Sequence, residues 1–88
     1  MMKKLVIVEV PEYDPERGLR TEWDDGFEIG VRVQDGEVVV TANPAGLRSL
    51  ARHLLVLAQD AVPVGHHIHL DDSNSLEDGS VGLILEKG

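Results

Sequence analysis

FEIGVRVQDGEVVVTANP, residues 27–44, is the stretch whose reading decides the fold. Its first half alternates. Phe27, Ile29, Val31 and Val33 point one way; Glu28, Gly30, Arg32 and Gln34 point the other. That period of two is the mark of a half-buried strand. Asp35-Gly36 follows, a pair favoured in two-residue hairpin turns because the turn needs positive φ. A second strand runs over residues 37–42. The two-residue loop opposes Gln34 with Glu37, Val33 with Val38, Val31 with Val40 and Ile29 with Ala42. Every inward residue then faces an apolar one, and a slip of one residue would destroy the match. Asn43-Pro44 ends the stretch as a helix start. Asn is a strong N-cap, and Pro suits the first helical position, where its missing N–H costs nothing.

Downstream of the cap, Leu47, Leu50, Ala51, Leu54, Ala58 and Ala61 recur at helical spacing and are expected to form the buried stripe, widened by Leu55 and Leu57. Arg48, Arg52 and Gln59 fall on the opposite side, with Val56 among them. The helix is expected to end near Asp60 or Ala61, before Pro63. Residues 64–71 read as a strand with Ile68, Leu70 and His66 on one face and His67, His69 and Asp71 on the other. Residues 72–80 read as a polar turn. Residues 81–86 read as the last strand, with Val81, Leu83 and Leu85 on one face.

Upstream, residues 3–10 are β-branched and end at Pro11, so they read as a strand that is apolar on both faces. Residues 11–26 read as a loop punctuated by Pro11, Pro15 and Gly18, with room for a short strand over residues 19–23. The expectation is one α+β domain over residues 1–88. It is a mainly antiparallel sheet of about five strands in the order β-β-β-α-β-β, with one helix packed on one face. Leu5, Ile7, Val39 and Ile84 would then form a half-apolar outer sheet face, which suits a homodimer or a partner surface.

Composition narrows the function. The chain has 88 residues, 16 acids against 8 Lys and Arg, and a formal charge of -8. It is too short for a cleft between two lobes. It is too acidic for an ordinary nucleic-acid binder, whose affinity comes from neutralising phosphates. It is too apolar, at 42%, for a disordered acidic tail. With 3 aromatics, Tyr13, Trp23 and Phe27, the core must be aliphatic and small. There is no cysteine, which suits a reducing cytoplasm. The apolar run after Lys3-Lys4 is too short for a signal peptide, and nothing approaches a transmembrane span. A cytoplasmic protein without a membrane partner is expected.

The charge is polarised. Residues 9–37 hold ten acids and three arginines, whereas residues 43–70 hold Asp60, two arginines and all four histidines. Ordinary solubility is the reading preferred from charge alone; the functional alternative is an acidic surface that steers a basic partner. Three of the histidines crowd into His66-His67-Ile68-His69. A strand puts His67, His69 and Asp71 on one face, the weak candidates for a metal site. No fourth ligand is evident, so polar residues on a solvent face are the preferred reading, with no cofactor. A weaker form is a pH response of this strand, since protonating all four histidines halves the formal charge to -4. No serine stands in a nucleophile-elbow pattern, and Asp71-Asp72-Ser73-Asn74 only loosely echoes a calcium loop. An enzyme is not expected.

Three stretches carry a resemblance: Asn43-Pro44-Ala45-Gly46-Leu47-Arg48 continuing to Ala58, Pro63-Val64-Gly65-His66-His67-Ile68-His69-Leu70-Asp71, and Leu76-Glu77-Asp78-Gly79-Ser80 before a final apolar strand. Together they resemble the family numbered thirty-two among the predicted immunity proteins of bacterial polymorphic toxin systems, over roughly residues 28 to 86. The resemblance implies an α+β protein that binds and neutralises a cognate toxin, and it implies no catalytic residues. Partner contacts are expected at Trp23, Asp24 and Asp25 and at His67, His69, Asp71 and Asp72. The alternatives are a homodimeric module of unknown role and a metal- or pH-responsive domain using the histidine strand.

Overall fold

The computed structural model describes residues 2–88. Four strands and one helix follow in the order β1 (Ile29–Gln34), β2 (Glu37–Ala42), α1 (Pro44–Leu57), β3 (His67–Leu70) and β4 (Leu83–Glu86). The class is α+β with one helix. The expected five-stranded sheet is not formed. β1 and β2 make one antiparallel two-stranded sheet, and β3 and β4 make another. The hairpin keeps the expected register in every pair, from Gln34↔Glu37 to Ile29↔Ala42. Asp35 and Gly36 take φ of 52° and 78°, as the tight turn requires.

The segment after Leu76 bridges the two sheets. Glu77 N–H donates to the Ile29 carbonyl at 2.9 Å, Val81 N–H donates to the Val31 carbonyl at 2.9 Å, and Val31 N–H donates to Ser80 Oγ at 3.1 Å. This uses the outer edge of β1. It also explains why β4 begins at Leu83 and not at Val81: the backbone of Val81 is committed to the first hairpin. On the other side, Gly65 and His66 bond to Lys87 beyond the ladder proper.

Residues 3–10 form no strand. A strand exists only where its backbone groups find a ladder, and this segment is drawn off toward the helix instead. Arg52 Nε donates to the Glu9 carbonyl at 3.2 Å and Gln59 Nε2 donates to the Pro11 carbonyl at 2.9 Å. Leu5 and Ile7 remain 86% and 83% exposed. Residues 19–23 form no strand either; this segment lies over α1 and is fixed by side chains, as described below.

Asn43 organises the start of α1. Its Oδ1 accepts from Gly46 N–H at 2.8 Å and from Glu28 N–H at 3.0 Å, while its Nδ2 donates to the Gly26 carbonyl at 2.9 Å. One side chain thus caps the helix and ties down the base of the hairpin. Asn43→Ala is expected to cost about 2 kcal/mol, the upper end for a lost cap; chemical denaturation would measure it. The helix ends at Leu57, short of Asp60. Gln59 is turned to hold the Pro11 carbonyl and the Tyr13 N–H, the latter at 2.9 Å.

The helix buries a different face from the one its leucines predict. Gly46, Ser49, His53, Val56 and Leu57 are buried. Leu47, Leu54 and Leu55 are exposed, and so are Ala51 and Ala58. The reason is proximity. The hairpin base passes so close that a Cβ built on Gly46 would lie 2.5 Å from the Glu28 carbonyl oxygen. Only small groups fit there, so Gly46 and Ser49 set the helix's rotation. The core joins Ile29, Val31, Leu57, Val62, Ile68, Leu70 and Leu76, with Tyr13, Leu19, Trp23 and Phe27 packed against it. Val33, Val38 and Val40, expected to face inward, are 41% exposed or more, because only the base of the hairpin meets the core. Val39, expected on the outer face, is half-buried; Ile84, also expected there, is 58% exposed. No helix among the described residues is long and apolar enough to cross a membrane.

Candidate functional site

Arg48 and Arg52 stand four residues apart, on one side of α1. Asp24 sits between them, with Arg48 Nε at 2.8 Å and Arg52 Nη1 at 2.9 Å. Its N–H donates to Ser49 Oγ at 2.9 Å, and the Ser49 hydroxyl donates in turn to the Ala45 carbonyl. The hydrogen bond from Arg48, then that from Arg52, holds the Asp24 carboxyl below its ordinary range. The charge of Asp24 is therefore used inside the chain to fasten residues 21–26 to the helix.

Trp23 lies next to this clamp. Its ring stacks on Phe27 with centroids 4.4 Å apart and meets His53 edge-on at 4.3 Å. His53 is fully buried, and neither ring nitrogen has a hydrogen-bond partner. Burial lowers its pKa. A backbone group of Glu22 opposes that shift in part, without forming a hydrogen bond in the geometry seen here, and the Arg52 charge adds to it. Sequence reasoning grouped His53 with the other histidines. Its position three, four and seven residues from Val56, Ser49 and Gly46 was the signal that separates it, since small residues mark a closely approached helix face.

The histidine strand is divided. His66 turns inward, its Nε2 3.5 Å from Tyr13 Oη. His67 and His69 project outward from β3, opposite Glu86 and Ile84 of β4. His69 Nε2 is 3.9 Å from Asp71 Oδ2, so the two attract only when the imidazole is protonated. Asp71 is engaged locally. Its Oδ1 accepts from the Ser73 hydroxyl at 2.7 Å and the Ser73 N–H at 2.9 Å, and these bonds lower its pKa. Among the described residues, no three His, Asp or Glu side chains come together as a metal would require.

The two predicted groups nevertheless meet. Thr21 and Trp23 form one wall of an open cleft of about 200 Å³, and Ile68, His69, Leu70, Asn74 and Ser75 form the rest. Asp25 and Asp72 are exposed and make no ion pair among the described residues. The structure thus brings Trp23 and His69 to one surface, leaves Asp25 and Asp72 free, and turns Asp24 inward. His67 lies outside the cleft.

Residues 37–88 match the family model described as Immunity protein 32. The match is more than half of the chain. It begins at β2 and takes in α1, β3 and β4, so its start is later than the residue 28 expected from sequence. β1 and the acidic segment carrying Trp23, Asp24 and Asp25 lie outside it. Neither the curated proteins nor the solved structures contain a match.

Proposed function

We propose that this chain, which belongs to the immunity protein 32 family, neutralises a cognate bacterial toxin by binding it directly, without chemistry of its own. The observation that carries this reading is the cleft lined by Trp23 and His69, with Asp25 and Asp72, each two residues along the chain from a lining residue, exposed to solvent. Half-exposed aromatics anchor protein interfaces. Charges around an anchor steer the partner and set its approach rate. With a net charge of -8, the chain suits a basic toxin surface. On this reading it works in the cytoplasm, with a protein as its target and neither nucleic acid nor membrane as a partner. The part of the surface outside the family match supplies specificity for one toxin.

The test is co-expression with the product of a neighbouring toxin gene. Growth rescue and co-purification are expected. Reversing both Asp25 and Asp72 to Lys should slow association on the order of tenfold at low salt, with a smaller loss at high salt. Absence of rescue and of a complex would overturn the reading. An unchanged association rate in the double variant would move the contact elsewhere.

A further inference from the structure

We infer that residues 3–10 of one copy of this chain add as a strand to the free edge of β2 in a second copy, the two copies exchanging their N-terminal arms. The backbone shows that this edge is open. Val31 N–H donates to Ser80 Oγ and the Val31 carbonyl accepts from Val81 N–H, so both of its groups point away from β2. Val31 pairs with Val40, and Val33 with Val38. In an antiparallel ladder, opposed residues turn their groups either toward each other or away together, in alternation. The N–H and carbonyl groups of Val40 and Val38 therefore point outward. Among the described residues no backbone group bonds to them, whereas the corresponding edge of β1 is covered by residues 77–81. Val38 and Val40 are also 63% and 41% exposed.

The arm is the complementary half. Its β-branched, apolar sequence is that of a strand, yet among the described residues the backbone of residues 3–8 bonds to no other backbone. Leu5, Val6 and Ile7 are 86%, 68% and 83% exposed. A bare strand edge is a template for such a segment, because the ladder satisfies both backbones at once. The arm does not reach its own β2. Its root is fastened to α1, the Glu9 carbonyl by Arg52 and the Pro11 carbonyl by Gln59. Arg52 lies about 13 Å along the helix from the end of β2. Residues 3–8 span about 20 Å when extended, so most of them would be used in the crossing. The arm of a second copy is free of that constraint.

Charge identifies the occupant and sets its direction. Lys3 and Lys4 stand at the free end of the arm, and Asp35 and Glu37 at the turn end of β2; none of the four makes an ion pair among the described residues. An arm running parallel to β2 puts Lys4 beside Glu37, with Lys3 next to Asp35. Leu5 and Ile7 then fall beside Val38 and Val40, on the face that Val33, 59% exposed, also shares. Val8 lies beside Thr41, and Glu9 meets Ala42 at the far end. The antiparallel direction would set Glu9 against Glu37, two like charges directly opposed. Exchange of the same segment between two copies is self-complementary about a two-fold axis and needs no refolding of either body.

Sedimentation equilibrium of the purified chain at millimolar concentration and physiological ionic strength should give twice the 9.6 kDa monomer mass. Ile7→Pro removes a ladder donor and an apolar contact from both exchanged arms, and should weaken the dimer about a hundredfold or more. Residue 7 is outside the core, so the circular dichroism spectrum should not change. Lys4→Glu should weaken the dimer on the order of tenfold, and adding Glu37→Lys should restore it. As the native chain has no cysteine, two single-cysteine chains locate the contact. Ile7→Cys mixed with Val40→Cys in oxidising buffer should form the mixed disulfide about tenfold faster than Ile7→Cys mixed with Ile84→Cys, whose cysteine lies on the other sheet. A wild-type chain that stays monomeric, an Ile7→Pro dimer as tight as wild type, or a Val40→Cys chain no faster to cross-link than the Ile84→Cys chain would overturn the exchange. A monomeric wild type whose toxin complex is lost in Ile7→Pro would assign the arm to the toxin and also overturn it.

Discussion

Gly46→Ala is expected to destabilise the fold by about 2–3 kcal/mol, although Ala is the better helix former. The added Cβ would lie 2.5 Å from the Glu28 carbonyl oxygen, 2.9 Å from Ile29 Cγ1 and 3.0 Å from Ala42 Cβ. Two of these neighbours are rigid or core, and none is the flexible tip of a long side chain. Relief requires moving the helix off the hairpin. That movement strains the bonds of Asn43 to Glu28, both its own N–H to the Glu28 carbonyl and its Oδ1 to the Glu28 N–H. The intrinsic gain of Ala over Gly in a helix is about 1 kcal/mol, too little to offset the clash. A melting temperature lower by about 10–20 °C is the corresponding thermal signal. A Gly46→Ala chain as stable as wild type would show that the close approach does not set the helix's rotation.

The second large effect is acid destabilisation through His53. The imidazole is fully buried, both nitrogens lack partners, and its pKa is lowered chiefly by burial. The folded state therefore favours the neutral ring, whereas the unfolded chain takes up a proton near 6.5. Below that pH the unfolded state binds more protons, and stability falls. The contribution is whole above about pH 7 and is lost as the pH falls toward the folded value, by up to about 1.4 kcal/mol per pH unit. Nothing acidic pairs with the ring: Trp23 meets its edge, the Glu22 backbone is near, and Arg52 opposes its charge. The carboxyls of Asp24 and Asp71 are also lowered, but their losses set in only from about pH 5 downward, as the unfolded carboxyls begin to protonate, so the windows separate. Denaturation between pH 7.5 and pH 5 should show the decline in wild type. His53→Leu should flatten it and, by removing two orphaned polar atoms, hold or raise stability at pH 7.5. A His53→Leu profile as steep as wild type would place the proton elsewhere.

The candidate surface was legible only in part. Trp23 belongs to an acidic segment and His69 to a strand face, and they share a cleft. The charge of Asp24 is spent on Arg48 and Arg52. Nothing in the local sequence reveals this, because the three residues are 24 and 28 positions apart. Asp71 likewise bends its own turn and does not complete a metal site.

What could be read from residues alone was local in origin. The hairpin register follows from alternation plus Asp35-Gly36, the helix start from Asn43-Pro44, and the family from residues that keep their spacing along the chain. Each depends on neighbours a few positions away. The division into two small sheets, the unpaired N-terminal arm and the rotation of α1 depend on which backbones meet. The 77–81 segment takes the edge of β1 that the arm would have needed. The hairpin base presses on Gly46, so the helix turns Gly46, Ser49, His53, Val56 and Leu57 to the core and leaves Leu47, Leu54 and Leu55 outside. Apolar periodicity reports that a face is sticky; steric fit decides whether the core or another molecule covers it.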